Sequence, residues 1–255
     1  MSTPLVECKN LTVGYDDKPI LEGIDLTVEA GEIVALLGGS GSGKSTLLRA
    51  MTGLLPPLSG ELLILGEPLY DLSTEERAKL LRRTGTAFQQ DALFGSMTVG
   101  DNIGLPLCEL TKLPRVIINE MVALRLAMVG LSGYEPRQPT SLSGGQRKRA
   151  ALARASILDP DIMFCDEPSA GLDPAIAAAI DQTLLQFRAA LGVTIVIVTH
   201  ELASIEAIAD RAVMFANKKL IARGTIDELK QSKDQEVFNF FNRVADESGP
   251  AMTTR

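Results

Sequence analysis

The chain has 255 residues (27.3 kDa), with 25 Lys+Arg against 32 Asp+Glu, a net charge of −7 and a pI near 4.9. Apolar residues make up 45% and charged residues 22%, the balance of an ordinary globular protein able to bury a substantial core. The acidic excess argues against broad nucleic-acid binding, which needs a positive surface. Cys8, Cys108 and Cys165 lack metal-ligand spacing, and an odd number gives no disulfide framework, so a reducing, intracellular compartment is expected. The opening MSTPLVECKN shows no signal-peptide pattern, and no apolar run approaches the roughly 18 residues of a membrane-spanning helix.

In chain order, residues 3–36 read as strands. Val6, Leu11 and Val13 lie among polar residues, a turn is expected over residues 16–19, and Ile24, Leu26 and Val28 follow in near-alternation. Ile33–Leu37 is a short continuous apolar run, the form of a strand buried on both faces. A glycine-rich loop follows, then a helix over residues 44–52. From about residue 91 to 158 the pattern is helices and turns broken by Pro106, Pro114, Pro136 and Pro139, with a helix expected over 144–158. Two further buried strands are expected at 161–166 and 193–199, separated by a helix over Pro174–Leu191. Strands alternating with helices define an α/β chain with a mainly parallel central sheet. Thr225-Ile226-Asp227-Glu228 is a capping-box helix start, and Phe238, Phe240 and Phe241 cluster beyond it. The last residues, 247–255, are expected to be disordered.

The loop Gly38-Gly39-Ser40-Gly41-Ser42-Gly43-Lys44-Ser45 fits G-x-x-x-x-G-K-[ST]. Small residues let successive backbone N–H groups turn inward as an anion nest, and the following helix aims its positive end at the same point. Lys44 can then reach the β- and γ-phosphates of a nucleoside triphosphate, and the Ser45 hydroxyl is placed to ligate Mg²⁺. The strand at 161–166 ends in Asp166-Glu167: Asp166 is placed to help hold Mg²⁺, and Glu167 to polarise an attacking water. By itself that pair would equally suit a helix cap or a solvated surface. His200, the only histidine, follows the strand at 193–199. An isolated histidine is more often structural, but its place at a strand end favours a γ-phosphate contact.

At Leu142-Ser143-Gly144-Gly145-Gln146 the chain resembles the ATP-binding cassette (ABC) ATPases, whose signature this is. In isolation, a Ser-Gly-Gly helix cap would account for the same residues. The resemblance spans about residues 4–230. It implies that Tyr15 stacks on adenine, that Gly38 to Thr46 hold the phosphates, and that Gln89 touches Mg²⁺ and the transport partner, with Gln90 the neighbouring alternative. It further implies that Asp166 binds Mg²⁺, that Glu167 is the catalytic glutamate, that Ser169-Ala170-Gly171-Leu172-Asp173 is the D-loop and that His200 is the switch histidine. Two such cassettes close head to tail, so Ser143, Gly144, Gly145, Gln146 and Asp173 would complete the ATP site of a second copy, in a homodimer or a pair with a similar chain. The expected layout is an α/β P-loop NTPase of the ABC type over residues 1–230. It would have a RecA-like core (about 1–90 and 159–230), an antiparallel β subdomain, a helical subdomain (about 91–158) and a tail (231–255).

A narrower resemblance lies in Phe88-Gln89-Gln90-Asp91-Ala92-Leu93-Phe94, Met97-Thr98-Val99, Asp101-Asn102-Ile103 and Leu105-Pro106-Leu107, and again in residues 109–114, 129–131 and 150–155. It is similar to the ATPase subunit of Mla/Mce-type transporters, which carry phospholipids between bacterial membranes. Two positions depart toward the general ABC pattern: Gln146 where that group often has Met, and Ala170-Gly171-Leu172-Asp173 where it often has Val-Gly-Gln-Asp. The resemblance implies an integral-membrane permease docking near Gln89 and the helical subdomain, an Mce-domain lipid-binding protein in the complex, and a peripheral position on the cytoplasmic face of the bacterial inner membrane. Other transport cargoes, and a non-transport role such as iron–sulfur assembly, remain alternatives. Of Leu93, Phe94, Met97, Val99, Ile103 and Leu105, some are expected in the core and the rest in a groove for a permease helix. Arg147, Lys148, Arg149 and Arg154 are expected to form a solvated charged face rather than a nucleic-acid site. The Phe238, Phe240 and Phe241 cluster reads as a tail helix packed on its own domain, or alternatively as a dimer contact.

Overall fold

A computed structural model describes residues 4–242, so the expected disorder over 247–255 lies outside it. Strands β1 (Val6–Tyr15) and β2 (Lys18–Val28) form a hairpin whose Asp16 and Asp17 both adopt left-handed conformations, φ +48° and +57°. That two-residue turn matches the twist of its flanking strands. The expected four-residue turn is therefore shorter, because Lys18 and Pro19 already pair with Tyr15 and Gly14.

Next come β3 (Ile33–Leu37), α1 (Lys44–Met51), β4 (Ser59–Ile64), β5 (Glu67–Pro68), α2 (Thr74–Leu81) and β6 (Thr84–Ala87). Helices α3 (Val99–Leu110), α4 (Arg115–Met128) and α5 (Gly144–Ser156) intervene before β7 (Ile162–Asp166). The chain then runs through α6 (Pro174–Leu191), β8 (Thr194–Val198), α7 (Leu202–Ile208), β9 (Arg211–Ala216), β10 (Lys219–Gly224), α8 (Ile226–Lys230) and α9 (Gln235–Asn242).

The central sheet has the order β10-β9-β3-β8-β7-β6, parallel throughout except for the β9–β10 edge. A second, antiparallel sheet, β2-β1-β4-β5, packs against one face. Because side chains alternate along a strand, β3 feeds two cores. Ile33, Ala35 and Leu37 join the layer holding α5 and α6, while Val34 and Leu36 join the layer holding α1 and the antiparallel sheet. All five are fully buried, as a strand covered on both faces requires.

Helix α6 has the expected limits, and its end signals explain them. Asp173 Oδ1 accepts the N–H groups of Ala175 (3.1 Å) and Ile176 (3.0 Å), Pro174 opens the first turn, and Gly192 closes the helix at φ +68°. The capping box at Thr225 is present in both directions, 3.3 Å from Glu228 N to Thr225 Oγ1 and 2.8 Å from Thr225 N to Glu228 Oε2. Other expected elements end one or two residues early. The helix from Lys44 stops at Met51 and the helix from Gly144 at Ser156, while Asp161 precedes its strand and pairs with Arg83 at 2.8 Å. In α9, Val237 and Phe241 are buried in the chain's own core, Phe240 packs against it, and Phe238 is exposed.

Phe187 on α6 is fully buried against the central sheet, away from the loops at its strand ends. Phe187→Ala is expected to lower stability by about 3–5 kcal/mol through lost burial and a residual cavity, measured by urea unfolding.

Candidate nucleotide-hydrolysis site

The central sheet aligns three strand ends. Leu36 of β3 pairs with Val198 of β8, and Val198 pairs with Asp166 of β7. The phosphate loop, Glu167 and His200 leave from adjacent strands at one edge, where ligands bind in such sheets.

Gly38 opens the loop at φ +144°, and a β-carbon there would run into the Phe215 carbonyl oxygen and the Ser42 side chain. Gly43 caps α1 at φ +98° without a side-chain hydrogen bond, and no acidic residue occupies the first turn. The N-terminal amides of that helix are thus left for an external anion. The Lys44 ammonium lies over the loop, donating to the Gly38 (2.9 Å) and Gly39 (2.8 Å) carbonyls and to Ser42 Oγ (3.2 Å). Burial lowers its pKa, and the nearby Glu167 and Asp166 charges partly restore it.

Ser45 Oγ donates to Asp166 Oδ1 at 3.1 Å. Burial raises the Asp166 pKa, opposed by that hydrogen bond and by the charges of Arg49 and Lys44. One Glu167 oxygen accepts Gln89 Nε2 at 2.9 Å, and the other lies 3.2 Å from His200 Nδ1. Glu167 itself is left-handed (φ +47°), a conformation costing a non-glycine residue about 1–2 kcal/mol, and its N–H donates to the Val198 carbonyl at 2.8 Å. At the outer end of the site, the exposed Tyr15 hydroxyl accepts Arg49 Nη1 at 2.7 Å.

The structure brings together Gly38 to Ser45, Asp166, Glu167, Gln89 and His200. Among the described residues, no hydrogen bond joins the signature residues Ser143 to Gln146 to the phosphate loop. They start α5, where Ser143 Oγ accepts Gln146 N (3.3 Å) and Gln146 Oε1 accepts Ser143 N (2.9 Å). The Ser-Gly-Gly segment is therefore also a helix cap. Gly145 lies so close to Ile176 that any side chain there would separate α5 from α6. Asp173 acts as the cap of α6.

The α5 cations depart from expectation. They turn inward rather than forming a solvated face. Arg147 reaches Asp91 (3.2 Å) and the Leu142 carbonyl (2.7 Å), Arg149 the Val129 carbonyl (3.0 Å), and Arg154 the carbonyls of Ala92 (2.7 Å) and Asp91 (3.3 Å). Lys148 donates to the carbonyls of Gln89 (2.5 Å) and Glu167 (3.3 Å). Ala150 to Ala153 of the same helix are buried, which brings the neighbouring cations up against main-chain carbonyls.

Of the six residues expected in core or groove, Met97 is half-buried and belongs to neither, and the others divide between the two. Val99 and Ile103 are fully buried, while Phe94 (52% exposed) and Leu105 line an open groove of about 580 Å³ with Phe88, Pro106 and Leu110. Leu93 packs against the core from outside. The groove lies beside the segment carrying Gln89.

A phosphate loop and strand-end carboxylates on a mainly parallel sheet define a P-loop nucleoside triphosphatase. Comparison with known proteins narrows the class. A family model described as ABC transporter matches residues 21–170, and the chain belongs to that family as an ATP-hydrolysing member. It is 40% identical over 96% of its length to the intermembrane phospholipid transport system ATP-binding protein MlaF of Haemophilus influenzae, covering 93% of that protein. It is also 38% identical to MlaF of Escherichia coli K12, over 95% of this chain and 90% of the relative. It is 40% identical over 93% of its length to the probable ribonucleotide transport ATP-binding protein mkl of Mycobacterium tuberculosis H37Rv, but covers only 66% of that longer chain. Among solved structures, the ATP-binding cassette MJ0796, a dimer in a post-hydrolysis state with ADP and Pi, superposes with TM-score 0.80 at 30% identity, over 87% of this chain and 98% of that one. The cbiO1 subunit of the cbiONQ transporter complex of Clostridium perfringens gives TM-score 0.83 at 31% identity, over 94% of this chain and 95% of that one.

Gly38→Ala is expected to cost about 1–3 kcal/mol of stability, because its backbone conformation and its carbonyl neighbour both resist a side chain. Urea unfolding of the variant beside wild type measures the loss.

Proposed function

We propose that this chain is the ATP-hydrolysing subunit of a transporter that moves phospholipid between bacterial membranes through a separate permease. The observation carrying this reading is 40% identity along nearly the full length of both chains to a phospholipid-transport ATPase. A relative named for ribonucleotide transport reaches the same identity over 93% of this chain, and two relatives named for phospholipid transport match over 95–96% of it. No helix among the described residues is long and apolar enough to cross a membrane, so the transport pathway is assigned to a partner.

In this reading the amides of Gly38, Gly39, Ser40, Gly41, Ser42 and Gly43, with Lys44, Ser45 and Thr46, hold the triphosphate, and Tyr15 stacks on the base. The donor set at the strand end is hard oxygen, from Ser45, Asp166 and Gln89, which suits Mg²⁺. When bound, that ion supplies charge neutralisation at the phosphates. Glu167 orients and polarises the attacking water, and Gln89 and His200 fix its two oxygens. Ser143, Gly144, Gly145, Gln146 and Asp173 face the nucleotide of a second copy in a homodimer. The groove at Phe88, Phe94, Leu105 and Leu110 receives an apolar permease helix, at the cytoplasmic face of the bacterial inner membrane.

Glu167→Gln is expected to keep ATP binding and lose at least about 100-fold in turnover, since it removes the basic carboxylate while keeping the shape. Equilibrium nucleotide binding and steady-state phosphate release measure the two separately. Wild-type turnover would reject the assignment.

Detergent co-purification of the tagged chain from native membranes, with mass spectrometry, is expected to recover a multi-span permease, an Mce-domain protein and phospholipid. A permease with a solute-binding protein would replace the cargo. Soluble partners alone would reject the transport reading.

A further inference from the structure

We propose that Lys148 is a positioning residue for ATP hydrolysis: its buried ammonium ties the backbones of Gln89 and Glu167 to the helix that carries the signature sequence. This rests on reading Glu167 as the hydrolytic carboxylate. Lys148 is only 9% exposed, and its Nζ lies 2.5 Å from the Gln89 carbonyl oxygen, 3.3 Å from that of Glu167 and 3.9 Å from Asp91 Oδ1. A strongly hydrated ammonium is enclosed this way only where fixed oxygens replace its water. Two of those oxygens belong to the residues whose side chains meet at 2.9 Å, Gln89 Nε2 on Glu167 Oε2. Lys148 therefore closes a ring: ammonium to both backbones, and amide to carboxylate between the side chains.

The backbone of Glu167 gives this ring a purpose. Its left-handed conformation persists only where its surroundings over-determine it. Three bonds hold that residue's backbone: its N–H on the Val198 carbonyl, and its own carbonyl accepting both Ala170 N–H (3.2 Å) and Lys148. The first anchors Glu167 to the sheet, the second closes the turn that follows it, and the third ties it to α5. Ala92 repeats the arrangement: it too is left-handed (φ +50°), and its carbonyl accepts Arg154 from the same helix. Helix α5 thus holds two left-handed residues beside the site, Glu167 and Ala92, and a displacement of its N-terminal signature would be felt at the carboxylate through Lys148.

The test uses the purified full-length chain and three variants, Lys148→Met, Lys148→Arg and Glu167→Gln. Lys148→Met is expected to lower kcat at least about tenfold while KM for ATP moves less than about threefold, since geometry at the carboxylate is lost and the phosphate loop is untouched. Lys148→Arg, which still donates to both carbonyls, is expected to recover most of the loss. A residue serving only packing would be rescued no better by Arg than by Met. Near-wild-type kcat in Lys148→Met beside an inactive Glu167→Gln would overturn the proposal while leaving the hydrolytic reading intact. So would a KM rise that accounts for the whole loss, or no recovery with Arg. Near-wild-type turnover in Glu167→Gln would instead remove the reading on which it rests. If Lys148→Met does not fold, Lys148→Gln, which keeps an uncharged N–H donor group, is read in its place and is expected to turn over more slowly than Lys148→Arg with KM for ATP little changed; turnover equal to wild type would overturn the proposal.

Discussion

The register of three parallel strands governs this molecule. Leu36, Val198 and Asp166 stand in one row across β3, β8 and β7, so three segments far apart in sequence leave the sheet side by side. A slip of one residue in any of these strands would turn its side chains to the opposite core. The alternation that sends Ile33, Ala35 and Leu37 to one face, and Val34 and Leu36 to the other, is thus what keeps Asp166 against Ser45 and Glu167 against Gln89 and His200. Chemistry at the sheet edge is positioned by hydrocarbon packing on both of its faces.

Around that row, main-chain groups do much of the holding. Lys44, Arg147, Lys148, Arg149 and Arg154 all find backbone carbonyls as partners. A carbonyl cannot be protonated or swapped by mutation, so a cation bound to it constrains the path of the chain rather than the identity of a second side chain. Glu167 shows the use of this. Its peptide is kept left-handed from both ends, and its carboxylate is free to be shared between Gln89 and His200.

Much of this was legible in the sequence. The phosphate loop, the strand ending at Asp166 and helix α6 with its Asp173-Pro174 start and Gly192 stop all carry local signals strong enough to place them. Strand β6 carries none: Thr84-Gly85-Thr86-Ala87 has no large apolar residue, and becomes a strand only by pairing with β7. Strands β4, β9 and β10 were likewise not anticipated, since β4 opens on three exposed residues and β10 is an edge strand without a fully buried position. The α5 cations were misread for a related reason. A charged residue looks the same in sequence whether it meets water or a buried carbonyl, and only the folded path of residues 89–92, Val129 and Leu142 decides between them.

The inward turn of those cations also bears on how the chain meets a lipid bilayer. Peripheral proteins often adhere to anionic headgroups through basic clusters, at about 1 kcal/mol for each cation near the surface. Here Arg147, Lys148, Arg149 and Arg154 all direct donors to main-chain carbonyls, in a chain seven charges to the acidic side. In the function proposed above, attachment by way of the apolar groove at Phe88, Phe94 and Leu110 is recruitment by a protein surface, set by buried apolar area and only weakly dependent on ionic strength.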